Sequence, residues 1–225
     1  MPRYSVFDIM GPIMIGPSSS HTAGAVRLGL MVRKIVGVQP SKVIIQLHGS
    51  FADTYRGHGT DLALVAGLLE LPEDATEITR SLELAEEQGL VVDFQLVDLG
   101  SEVHPNTAKF ICILPEGREI VILGHSTGGG SILISQINGY KLMLTGELHS
   151  LITNHRDEPG IVAAVTRILA EHDVNIAFLS LARTGKGEDA LMTIEADEPI
   201  PVGAGAQILG VKGVHGVTVV PALNS

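Results

Sequence analysis

A mixed α/β (α+β) fold in two domains is what the apolar pattern of this chain predicts. Short β-branched runs bounded by glycine alternate with segments of helical period over residues 1–146. A tighter strand–helix–strand–strand–helix–strand pattern fills residues 147–225, which is the βαββαβ order of a ferredoxin-like unit. A length of 225 residues with 45% hydrophobic side chains suffices for one large core or two small ones.

Gly11 to Gly24 is dense in glycine, proline and hydroxyls and reads as a loop, and Ala25–Val36 then places Val26, Leu30, Val32 and Ile35 on one face of a helix. Lys42 to His48 is a β-branched strand, with a turn expected from Gly49. Leu62–Leu69 reads as a buried helix with Thr60 or Asp61 as its N-cap. Thr76–Gln88 sets Glu77, Glu83, Glu86 and Glu87 opposite Ile78, Leu82 and Ala85, a surface helix closed by Gly89. Strands follow at Val91–Val97, Ala108–Leu114, Glu119–Leu123 and Ile132–Ile137, with Pro115 to Arg118 as a hairpin turn.

In the second domain, strands are expected at Ser150–Asn154, Ile176–Arg183, Ala190–Ala196 and Val214–Val220, and helices at Gly160–Glu171 and Ala204–Leu209. A unit of this size lies near the lower limit for independent stability, so pairing with another copy or a partner is expected.

Composition narrows the function. The net charge of −10 comes with no dense Lys/Arg cluster, which argues against a nucleic-acid surface. No apolar run reaches the roughly 20 residues needed to cross a bilayer, and Met1-Pro-Arg-Tyr-Ser5 lacks the layout of a signal peptide, so a cytoplasmic protein is expected. The single cysteine, Cys112, sits in an alternating strand and reads as a buried core thiol. One thiol cannot hold an ordinary iron–sulfur cluster or a cysteine-rich zinc site.

Three polar clusters stand out: Ser18-Ser19-Ser20-His21-Thr22, Gly57-His58-Gly59-Thr60-Asp61 and Val103-His104-Pro105-Asn106-Thr107. The first two precede helices, whose free N–H groups and positive partial charge suit the carboxylate of an amino acid. Taken singly, such residues are ordinary caps and turns. Ser126-Thr127 before Gly128-Gly129-Gly130 is a fourth candidate, either a ligand approach or a strand bend. His21, His48, His58, His104 and His125 lack metal-ligand spacing. Ser20, His58 and Asp61 could form a hydrolase triad, but no Gly-x-Ser-x-Gly elbow accompanies them. In the second domain His155 to Gly160 forms a tight approach to a helix, and Asn175 precedes the next strand.

At these residues a family resemblance emerges. Gly16-Pro-Ser-Ser-Ser-His-Thr-Ala-Gly24 resembles the signature that opens bacterial iron–sulfur L-serine dehydratases, Gly57 to Asp61 their second motif, and Ser126 to Gly130 their third. The first domain is also similar to the allosteric substrate-binding domain of some phosphoglycerate dehydrogenases, and the tail resembles an ACT regulatory domain. The resemblance implies a β subunit that converts L-serine to pyruvate and ammonia together with an α subunit, whose cysteines hold a [4Fe–4S] cluster. It implies no metal on this chain and a homodimer through the ACT domains. Catalytic roles are expected for His21, His58 and His104, and substrate contacts for Ser18, Ser19, Ser20, Thr22, Thr60, Asp61 and Asn106. An effector pocket is expected at His155, Asp157 and Asn175. The competing reading is an amino-acid-binding regulator with no catalytic duty.

Overall fold

The computed structural model describes residues 18–223; the Tyr4–Met10 segment and the start of the serine-rich loop lie outside the described residues. The chain divides into compact units at Asn138/Gly139.

The first unit is built on a sheet that begins with β1 (Lys42–His48), β2 (Val91–Leu96), β3 (Thr107–Ile113), β4 (Glu119–Gly128) and β5 (Ser131–Ile137). Within this unit the strand order is β2-β1-β3-β4-β5, and β6 (Tyr140–Leu144) falls in the second unit. β1 and β2 run parallel, and β3, β4 and β5 pair antiparallel in succession. Strict alternation in β1 buries Val43, Ile45 and Leu47, and the register sets them beside Cys112, Phe110 and Ala108 of β3. Helices α1 (Ala23–Val36) and α3 (Thr60–Leu68) pack together, and α1 lies on β4 and β5.

The α1–α3 crossing is unusually close because glycines stand at the contact. A Cβ on Gly67 would come within 2.0 Å of the Val26 carbonyl, and one on Gly29 within 2.2 Å of the Leu64 carbonyl. Both helices are consequently buried over most of their surface.

The structure departs from the sequence reading in several places. The turn after β1 is a short helix, α2 (Ser50–Thr54), reversed at Gly49 (φ 59) where a Cβ would meet the Pro105 backbone. Neither Thr60 nor Asp61 caps α3: Gly59 (φ 68) is the N-cap without a side-chain bond, and Asp61 Oδ1 instead accepts from the adjacent Leu62 N–H. The acidic surface helix is two pieces, a 3-10 turn at Thr76–Arg80 and α4 (Ser81–Glu87), with Leu82 exposed rather than buried. β4 runs on to Gly128 through irregularities after Leu123 and Ser126, carrying the Ser126–Gly128 segment into the sheet.

The second unit contains β7 (His149–Arg156), α5 (Ile161–Glu171), β8 (Ile176–Arg183), β9 (Asp189–Ala196), α6 (Val202–Leu209) and β10 (Val214–Val220). These form the expected βαββαβ unit with sheet order β10-β7-β9-β8. The apolar faces of α5 and α6 cover Leu151, Met192 and Ile194 with Ile161, Val165, Leu169 and Ile208. β8 is an edge strand with no charge between Ile176 and Ala182, and it leaves Phe178, Leu179 and Leu181 exposed. Among the described residues, no helix is long and apolar enough to cross a membrane.

Candidate functional site

The site lies at one end of the first sheet. Register places His48, Thr107 and His125 in one row across β1, β3 and β4, so the segments leaving these positions emerge together. Phe51 N–H donates to the Pro105 carbonyl at 3.3 Å, and Ser126 N–H to the Asn106 carbonyl at 3.1 Å. A Cβ on Gly24 would come within 2.1 Å of Ser126 Oγ, which brings the end of β4 against the first turn of α1. All three polar clusters and the Ser126 segment thus meet through short local contacts.

His21 is the best-anchored side chain here. Its ring is 7% exposed and hydrogen-bonded on both edges: Nδ1 lies 3.0 Å from Ser20 Oγ and 3.2 Å from Ser18 Oγ, and Nε2 lies 3.1 Å from Ser50 Oγ. Phe51 packs against it with centroids 5.3 Å apart, and His58 meets it edge to face at 4.8 Å. Burial, followed by the nearby His58, holds the His21 pKa below the ordinary imidazole value, with a Ser50 hydrogen bond pulling the other way. The shift favours the neutral ring, in which one nitrogen carries a hydrogen and the other accepts.

Thr22 and Thr60, at the starts of α1 and α3, are buried with hydroxyls that lack a hydrogen-bond partner, and so is His58 Nδ1. Buried polar groups in native proteins are nearly all satisfied. Three unsatisfied groups at neighbouring helix starts suit an anion held by N–H groups and the helix dipoles. Asp61 is half-buried, and Ser19 contributes its carbonyl to the Gly24 N–H at 2.8 Å.

His104 belongs to a second pair. It stacks on His125 with centroids 4.9 Å apart and planes 17° apart, while Asn106 N–H donates to its Nδ1 at 3.1 Å. Burial, then His104, lowers the pKa of His125. Sequence reasoning gave His125 no specific role and overlooked Ser50 altogether. Gly49 ahead of Ser50 signals a turn but not the partner of that turn; in the structure Thr54 Oγ1 donates to the Ser50 carbonyl at 2.7 Å within the short helix that follows.

In the second unit, Asp157 is already engaged, since its Oδ2 accepts from Arg183 Nη1 at 2.6 Å and from the Gly187 N–H at 3.1 Å. The Gly187 N–H, then Arg183, hold its carboxyl below the usual range. His155 is buried, donates from Nδ1 to the Arg156 carbonyl at 2.7 Å and leaves Nε2 unpartnered. Asn175 precedes β8, whose first residue Ile176 faces Ala196, whereas His155 faces Ala190 at the other end of β9. One chain does not bring these three residues together.

A family model described as serine dehydratase beta chain matches residues 5–136. The chain belongs to that family. An ACT domain model matches residues 149–210, in agreement with the ferredoxin-like unit. Over 200 residues this serine dehydratase beta chain family member is 45% identical to the "Probable L-serine dehydratase, beta chain" of Bacillus subtilis (strain 168), covering 89% of this chain and 90% of that one. It is 39% identical over 212 residues to the "L-serine dehydratase, beta chain" of Peptoniphilus asaccharolyticus, covering 94% and 96%. A "D-3-phosphoglycerate dehydrogenase" of Synechocystis sp. is 26% identical over 223 residues, which are 96% of this chain and 39% of that one.

Proposed function

We propose that this chain is the β subunit of an iron–sulfur-dependent L-serine dehydratase and acts only with a cysteine-bearing α subunit. The observation that carries the reading is the doubly tethered His21 against His58, set beside helix starts with unsatisfied Thr22 and Thr60 hydroxyls. Net, L-serine gives pyruvate and ammonia: loss of water leaves an enamine, and its imine tautomer is hydrolysed. This chain's share is to bind the carboxylate at the helix starts and to take the α-proton on an imidazole. His104 and His125 border the same site.

The residues of this chain do not fit a [4Fe–4S] cluster. Cys112 is fully buried in β3, burial pushes its thiol up to about 12, and the thiolate is the ligating form. The described residues hold no group of three or more potential metal ligands. Our proposal accordingly gives the cluster to the α subunit.

The ACT unit is proposed to pair with a second copy along β8 and to bind an amino-acid effector there. In an antiparallel β8–β8 pair centred on the strand, a second copy's Asn175 would approach Arg183 and Asp157, a combination that one chain does not make. The uncharged, apolar edge favours such pairing.

Anaerobic co-expression with the cysteine-bearing companion tests the reading, with pyruvate formed from L-serine as the readout. Turnover is expected from the complex and not from either chain alone, and it collapses with His21→Ala or His58→Ala. Serine deamination by the purified 225-residue chain without iron or companion overturns the assignment.

A further inference from the structure

Both ring nitrogens of His21 have hydroxyl partners, three serines in all. The main-chain N–H of His21 reaches Ser18 Oγ at 3.4 Å, so Ser18 is an acceptor there and its own O–H is free to donate. Ser18 Oγ and Ser20 Oγ are 3.3 Å apart and both lie within 3.2 Å of Nδ1. Each hydroxyl can donate to Nδ1 or accept from it, so this side is compatible with either neutral form of the ring. On the other edge, Nε2 lies 3.1 Å from Ser50 Oγ.

We infer that Ser50 is the positioning residue of this site: its Oγ accepts from Nε2–H, which keeps the lone pair of His21 on Nδ1, facing Ser18 and Ser20. Ser50 is well placed to do this because its backbone is fixed. Gly49 turns sharply against Pro105, Phe51 N–H binds the Pro105 carbonyl, and the fully buried Phe51 ring packs on His21. Loss of the Ser50 hydroxyl removes the preference between the two neutral forms without removing the imidazole. The consequence for turnover rests on the proton-accepting role proposed above. A proton taken from substrate enters at Nδ1, directly or as Ser20 Oγ accepts it and passes its own hydrogen on. His21 becomes an imidazolium, with the new hydrogen on Nδ1 and the original one still on Nε2, hydrogen-bonded to Ser50 Oγ.

The test separates this inference from the functional reading by using two readouts. Nitrogen-15 NMR of the imidazole in the full-length chain, with His21 assigned through His21→Gln, is expected to show a single Nε2–H form in the wild type. Ser50→Ala gives a mixture of both neutral forms, and Ser50→Thr restores the single form. In the complex with the α subunit, Ser50→Ala is expected to lower kcat roughly tenfold, less than the about 10²–10⁴-fold that a positioned acid or base contributes. KM changes little and Ser50→Thr recovers the rate. A folded Ser50→Ala chain that keeps the wild-type form overturns the inference, whatever its activity. If the wild-type complex fails to turn over serine, the functional reading falls and the NMR result alone still decides the role of Ser50.

Discussion

His21 and His58 meet with ring planes 88° apart and centroids 4.8 Å apart, although 36 other residues separate them in sequence. That contact exists because α1 and α3 cross at Gly29 and Gly67, which lets two helices that each follow a histidine approach to backbone distance. The chemistry of the site and the packing of the first unit therefore depend on the same few atoms.

Gly67→Ala is the sharpest test of that dependence. The added methyl group meets the Val26 carbonyl and the Leu30 N–H, neither of which can yield by rotating a side chain. We expect a loss of about 3 kcal/mol in a denaturant titration, at the upper end of the usual range for overpacking. A stability within error of wild type would show that the helices are not in this contact.

Gly24 and Ser126 should be coupled. Gly24→Ala alone drives a methyl group into Ser126 Oγ and Cβ, whereas the companion change Ser126→Gly clears both atoms. In a double-mutant cycle the pair is expected to be less damaging than the sum of its members by about 1–3 kcal/mol. Strict additivity would separate the start of α1 from β4.

The histidine shifts set a direction for stability against pH. Folded-state pKa values of His21 and His125 lie below the ordinary imidazole value of about 6.5. Below that value the unfolded chain binds protons that the folded chain refuses, so stability falls as pH drops from 7 toward 5. Melting temperatures of the wild type should follow that course, and His125→Asn should flatten it. An unchanged slope in His125→Asn would remove this residue from the account.

Cys112 should be inert. With no exposure and a thiol pushed up to about 12, it is expected to resist iodoacetamide at pH 8 in the native chain and to react on unfolding in urea. Rapid native labelling would contradict both its burial and its exclusion as a cluster ligand.

Asp157 ties two loops of the ACT unit through the Gly187 N–H and Arg183. Asp157→Ala should speed hydrogen exchange at the Gly187 amide while leaving β7 amides protected. Because the carboxyl pKa is lowered, the wild-type protection persists above the usual carboxylate range and is lost only at more acid pH. Equal exchange rates at Gly187 in both proteins would show that the tie does not hold the loop.

The sequence by itself determined the elements whose apolar period is long or whose punctuation is strong. α1, β1, α5 and all four ACT strands stand within a few residues of where hydrophobic spacing put them, because burying one face requires that spacing. His21, His58 and His104 were visible as candidates because histidine beside glycine and hydroxyls is chemically conspicuous. Tertiary structure alone decided the rest. Ser50 became part of the site only when Gly49 turned against Pro105, and His125 only when strand register set it over His104. The opposite ends of β9 likewise part His155 from Asn175, a separation no local motif encodes. Such relations come from pairing register and helix crossing, which are fixed by contacts between residues far apart in the chain, and a local pattern carries no information about them.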